Sequence, residues 1–82
     1  MEELSLPGKV VGVKQSRKAI EQGRAAKVYL ADDADPVLLE PLAACAAKNG
    51  IPVERGFSMA ELGRACHITV GAAVAAVLKA NG

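Results

Sequence analysis

Large aromatic anchors are almost missing from this chain: 82 residues include one Tyr, one Phe and no Trp, against an apolar content of 51%. Its core therefore has to be closely packed Ala, Val, Leu and Ile, which favours thin layers of helix on sheet. Histidine occurs once, and Cys45 and Cys66 stand apart among alanines with no Cys-x-x-Cys pair. A closed zinc site cannot be assembled from Cys and His alone, and small buried thiols are the expectation. Long apolar runs are lacking too: none approaches the roughly 18 to 20 residues that cross a bilayer. The start, Met1-Glu2-Glu3, has no basic region of a signal peptide, so a cytoplasmic protein without membrane contact is expected. Glycine-rich phosphate loops are absent as well, since only Gly12 lies where a strand would enter a helix. No Ser-His-Asp or Cys-His set has a supporting shell, and His67 beside Cys66 fits a turn better than a base. Neither an enzyme nor a cofactor is expected.

Charge is nearly balanced, with ten Lys and Arg, nine Asp and Glu, and a net charge of +1. That argues against indiscriminate coating of nucleic acid, but the distribution is uneven. Residues 1–27 carry six bases against three acids, while residues 28–54 carry one base against five acids. A basic face on a near-neutral molecule suits a local, shape-selective contact.

The basic stretch is Gly12-Val13-Lys14-Gln15-Ser16-Arg17-Lys18-Ala19-Ile20. A short strand, 9–12, leads through Gly12 into a helix over 14–22, with Ser16, Ala19 and Ile20 inward and Lys14, Gln15 and Lys18 outward. Bases crowding the first turn of a helix, at the positive end of its dipole, suggest a polyanion there in the bound state. A solvated basic face accounts for the same residues.

Met1 to Leu6 reads as a short helical lead ended by Pro7-Gly8, and 26–31 as a strand. Asp35 can cap a helix beginning at Pro36, with either a late start near Pro41 or a kink there, and Asn49-Gly50 closes it. Asp32, Asp33 and Asp35 could suggest a hard-metal site, but a turn and helix cap accounts for them better. Residues 51–55 form a third strand at an edge, marked by Pro52. Ser58 and Glu61 make a capping box for a helix of about 9 residues. The alanine-rich tail has no polar face and fits a buried helix or a central strand, and the preceding alternation favours a strand over 73–78.

Four stretches, in this order and spacing, resemble the kink-turn RNA-binding ribosomal-protein family, whose archaeal archetype is the L7Ae protein and whose small bacterial members are called YbxF-like. They are Gly12 to Ile20, Leu30-Ala31-Asp32-Asp33-Ala34-Asp35-Pro36, Lys48-Asn49-Gly50-Ile51-Pro52 and Leu62-Gly63-Arg64-Ala65-Cys66. The resemblance covers nearly all of the chain after Pro7. Length alone leads to the expectation of one domain over residues 1–82, and the resemblance implies an α/β fold for it, a three-layer α/β/α sandwich with a four-stranded mixed sheet, and so a strand for the tail. It also implies binding of a sharply bent RNA duplex in which tandem sheared G·A pairs follow a short bulge, in ribosomal RNA or a structured leader such as a riboswitch. The ribosome is a further candidate partner, and the protein is expected to be a monomer.

Carried over by residue, Gly12 and Val13 open the RNA-facing helix, and Gly12 allows close backbone approach. Lys14 and Gln15 occupy the positions where archaeal members carry Asn-Glu against the guanines. Gln can donate and accept whereas Lys only donates. Lys18 matches the family's lysine, placed to reach guanine or phosphate. Asp35, Leu39 and Met59 match positions around the pocket for a flipped-out base, beside the loop Ile68, Thr69, Val70, Gly71 and Ala72, with Arg64 near enough to meet phosphate. An apolar loop can cover an unstacked base by shape without reading its identity. The alternative function is a protein-interaction module on the same fold, with Ile68 to Ala72 as partner site.

Overall fold

Strands and helices alternate along the chain: β1 (Lys9–Val11), α1 (Val13–Glu21), β2 (Ala25–Ala31), α2 (Pro36–Lys48), β3 (Val53–Phe57), α3 (Met59–Ala65) and β4 (Val74–Leu78). This is a computed structural model describing Leu4 and residues 8–79, so the expected lead over 1–6 lies, Leu4 apart, outside the described residues.

The strands form one sheet in the order β1-β4-β2-β3. β4 is antiparallel to both of its neighbours, and β2 and β3 are parallel. It follows that β1, β2 and β3 all run one way and β4 returns between the first two. Their carboxyl ends, the starts of the three helices and the loop into β4 therefore share one edge of the sheet. The middle strands are covered on both faces: Val28 to Ala31 and Val74 to Ala76 are buried without alternation. The alanine-rich tail is thus a central strand, and the absence of a polar face follows from that position. α1 and α2 pack together on one side of the sheet, and α3 packs on the other, giving the three-layer α/β/α sandwich.

Three segments differ from the pattern-based expectation, the first being α3, which has 7 residues where about 9 were expected because the chain turns out of it at His67, φ 61°. α2 runs as one helix from Pro36 through Pro41, so the late start at Pro41 is not taken. Pro41 cannot donate to the Val37 carbonyl, but Val37 is exposed, and water can serve there. β3 begins at Val53, later than the expected Ile51, and extends to Phe57. Ile51 is spent on closing α2, its N–H donating to the Ala46 carbonyl at 2.8 Å, and Pro52 has no N–H to give. Further along β3, Tyr29 faces Glu54 while Ala31 faces Phe57, so two residues of β3 oppose one of β2. Gly56 takes this bulge at φ 101°, a conformation that L side chains rarely adopt. Its N–H donates to Asp32 Oδ1 at 3.1 Å.

Two packing features carry measurable consequences. Ser16 is fully buried in α1, and its hydroxyl finds no hydrogen-bond partner among the described residues. Gly63, buried in α3, lies so close to the loop before β4 that a Cβ there would collide with the Val70 carbonyl oxygen. Replacing Ser16 by Ala removes an unsatisfied hydroxyl and is expected to raise the unfolding free energy by about 1 kcal/mol, read as a higher midpoint in denaturant. Gly63→Ala is expected to lower it by about 1–3 kcal/mol; equal midpoints for that variant and the parent would contradict the close approach.

Candidate nucleic-acid interface

Three helices begin at the same edge of the sheet, and their first turns are finished differently. In α2, Asp35 Oδ1 accepts from the Val37 N–H at 2.9 Å. In α3, Glu61 N–H donates to Ser58 Oγ at 3.0 Å, Ser58 N–H donates to Glu61 Oε1 at 2.9 Å, and Met59 N–H donates to Asp33 Oδ1 at 2.7 Å. α1 has neither device: its N-cap is Gly12, with no side-chain cap bond and no acid in the first turn. The opening N–H groups of α1 and the positive end of its dipole are left for solvent or a ligand.

Gly12 is held at φ 101° and ψ 159°. A methyl group there would meet nothing within 4 Å, so the backbone conformation, rather than lack of space, calls for glycine. Val13 is half-buried against the core, whereas Lys14, Gln15 and Lys18 are exposed. The expectation that Lys14, Arg17 and Lys18 crowd the first turn or so is corrected: α1 starts at Val13, one residue earlier than expected, and in nine residues it is over by Glu21. Lys14 is in the first turn, but Lys18 is already in the last, where a cation is well placed relative to the dipole. Arg17 faces Glu21 at 4.0 Å, both well exposed, a pair of little energetic weight. Lys14 and Lys18, at i and i+4, present two cations together on the outward face of α1 with no ion pair among the described residues.

The second surface is the loop between α3 and β4. His67 turns the chain at φ 61°. Ile68 N–H then donates to the Gly63 carbonyl at 3.1 Å, and Ala72 N–H to the Met59 carbonyl at 3.0 Å. Both ends of the loop are thereby tied down on α3, with the Val70 carbonyl seated over Gly63. Val70 itself is 69% exposed. Ile68, Thr69, Val70 and Gly71 line an open pocket of about 240 Å³ with Ala60 and Arg64 of α3.

The remaining candidates divide between surface and support. Arg64 is exposed at the pocket, and Asp35 is exposed but occupied in capping α2. Met59 is half-buried under the loop. Leu39 and Ala72, 3% and 4% exposed, are core residues beneath this edge and cannot present their side chains to a large ligand. The two surfaces are joined through the segment leading into β4. Val74 C=O accepts from Gly12 N–H at 2.9 Å, two residues after Ala72 is fixed to Met59.

Chemically this surface offers backbone donors at the edge, two cations on α1 with no ion pair among the described residues, and a pocket of mixed polarity with a guanidinium in its lining, a set suited to a polyanion carrying an unstacked ring. Nucleophile chemistry finds less support: burial pushes the Cys66 thiol above its ordinary value, with Lys9 only partly opposing. The aspartates at 32, 33 and 35 spend an Oδ1 each on a backbone N–H. Among the described residues no group of three or more His, Cys, Asp or Glu is placed to hold a metal ion, and no helix is long and apolar enough to cross a membrane. From the sequence, Asp33 reads only as part of a turn and cap, and Gly63 only within a matching stretch, with no site role for either. The bond of Asp33 spans 26 positions and leaves no local trace, whereas a glycine inside an otherwise regular helix is itself a sign of close packing.

The chain is similar to several known proteins. The RNA-binding protein GK0100 of Geobacillus kaustophilus is 44% identical over 70 residues, covering 85% of each chain. The RNA-binding protein YbxF of Geobacillus stearothermophilus is 43% identical over the same length and the same shares. Among solved structures, the 15.5kD RNA binding protein of Giardia lamblia superposes with a TM-score of 0.87 at 31% identity, over 96% of this chain and 67% of that one. The model of the ribosomal protein L7Ae/L30e/S12e/Gadd45 family matches residues 6–82, and the chain belongs to that family.

Proposed function

We propose that this chain is a non-catalytic, single-domain RNA-binding protein of the cytoplasm that recognises kink-turn RNA as a monomer and stabilises its bent form. The observation that carries this reading is the contrast at the sheet edge: α1, alone of the three helices, starts without a side-chain cap or a first-turn acid, and Lys14 and Lys18 stand on its outward face. Membership of the family and the names of the relatives supply the ligand class.

In this reading Gly12, Val13, Lys14 and Gln15 approach the groove beside the tandem sheared G·A pairs, with Gln15 able to donate and accept at a guanine edge. Lys14 and Lys18 donate to guanine or phosphate oxygens. Ile68, Thr69, Val70 and Gly71 cover the flipped-out base, Arg64 meets the neighbouring phosphate, and Asp35, Leu39, Met59 and Ala72 hold the pocket's frame. Binding the bent RNA better than the extended form is sufficient to shift its population. The natural RNA is ribosomal or a structured leader such as a riboswitch, and the ribosome is a candidate partner. Val37, Leu38 and Val70 are the large apolar side chains exposed among the described residues; they support a second reading, a protein-interaction module.

Titration against a kink-turn RNA and a control whose G·A pairs are replaced by Watson–Crick pairs, at two salt concentrations, separates these readings. Tight binding to the first and loss with the control is expected. Equal binding to both with steep salt dependence means generic electrostatics, and no binding to either favours the interaction module. Lys18→Ala is expected to weaken kink-turn binding by about 1–3 kcal/mol at fixed salt; an unchanged dissociation constant would remove Lys18 from the interface.

A further inference from the structure

We propose that Asp33 is a positioning residue for recognition of the flipped-out base, acting through Met59 on the loop Ile68 to Gly71. The proposal rests on the kink-turn reading and deepens it. Asp33 lies in the turn between β2 and α2, outside the pocket, yet its Oδ1 takes the first N–H of α3, that of Met59, at 2.7 Å. This is a charge-assisted bond at a helix terminus, among the stronger kinds available to a partly exposed group.

Met59 passes that constraint on in two ways. Its carbonyl accepts from Ala72 N–H at 3.0 Å, and its Cβ and backbone lie against Gly71, where an added methyl would come within 3.2 Å of Met59 Cβ. The opposite end of the loop is held by Ile68 N–H on the Gly63 carbonyl. The pocket formed with Ala60 and Arg64 therefore travels with α3, and its position relative to the sheet edge and to α1 holds only while the first turn of α3 stays in place. Ser58 and Glu61 satisfy α3 from within. Asp33 is different in kind, because it ties α3 to a separate element 26 residues away. Loss of the carboxylate frees α3 and the loop to move together, leaving α1 untouched. The effect is expected at the base pocket and not at the G·A surface.

The test compares the parent, Asp33→Ala and Asp33→Asn in binding a kink-turn RNA and the same RNA with an abasic residue in place of the flipped-out nucleotide. The parent is first checked against the Watson–Crick control, since failure there overturns the kink-turn reading itself, and the proposal with it. For a parent that passes, the abasic RNA is expected to bind more weakly than the intact one. Asp33→Ala is expected to bind the intact RNA about tenfold more weakly than the parent does and to bind intact and abasic RNA alike. Asp33→Asn keeps an acceptor for the Met59 N–H and is expected to restore the discrimination. A merely structural role would lower affinity for both RNAs equally, so an Asp33→Ala protein that still discriminates as the parent does overturns the proposal. If Asp33→Ala does not fold, Asp33→Leu, close to Asp in shape but without an acceptor for the Met59 N–H, carries the test: lost discrimination supports the proposal and unchanged discrimination overturns it.

Discussion

Three successive residues leading into β4 each bond through the backbone to a different element. Ala72 N–H goes to Met59 of α3, Ala73 C=O receives the N–H of Ala31 in β2, and Val74 C=O receives the N–H of Gly12 at the head of α1. This junction is what makes one edge of the sheet into one surface. A strand running opposite to its neighbours starts where they end, so the loop before it is delivered to the same edge as the three helix starts. Backbone groups in such a place must find partners, and here the partners are the elements that frame the candidate interface. The basic helix and the loop before β4 are therefore joined through one backbone junction, although more than 50 positions of sequence separate Gly12 from Ile68.

What local chemistry specifies was legible in the residues. Asp35-Pro36 and the Ser58/Glu61 box act within four positions of themselves, and both helices begin where those residues say. The inward face of α1 was readable from spacing, since Ser16, Ala19 and Ile20 are the buried residues of that helix. The fold class came from family resemblance more than from pattern, because the alanine-rich tail has the same composition as helix or as central strand. Its burial between β1 and β2 resolves the ambiguity in favour of strand.

Features that depend on distant partners were not legible. The N–H freed at the Gly56 bulge is taken by Asp32, 24 residues earlier, and nothing in Val53 to Phe57 marks that bond. Similarly, Leu39 and Ala72 match positions around a pocket, but the sequence does not separate a residue that lines a surface from one that lies beneath it. Their burial does. Lys18 is a different case: the nine-residue length of α1 was expected and is observed, and Lys18 falls in its last turn, toward the negative end of the dipole, where the same residue has another electrostatic meaning.

The position of β4 also bears on how the protein is made. β1 and β2 are not neighbours; each pairs with β4, which is synthesised after both. A nascent chain that has emerged only through β3 can form the β2–β3 pair, but its first strand has no partner and two sheet edges stand open. Closure waits for β4, in a step that pairs Lys9 with Val77 across most of the sequence. Long-range pairing of this kind is slow relative to helix formation. During translation the helices can therefore form early, while the candidate interface is assembled late, in the same event that completes the core.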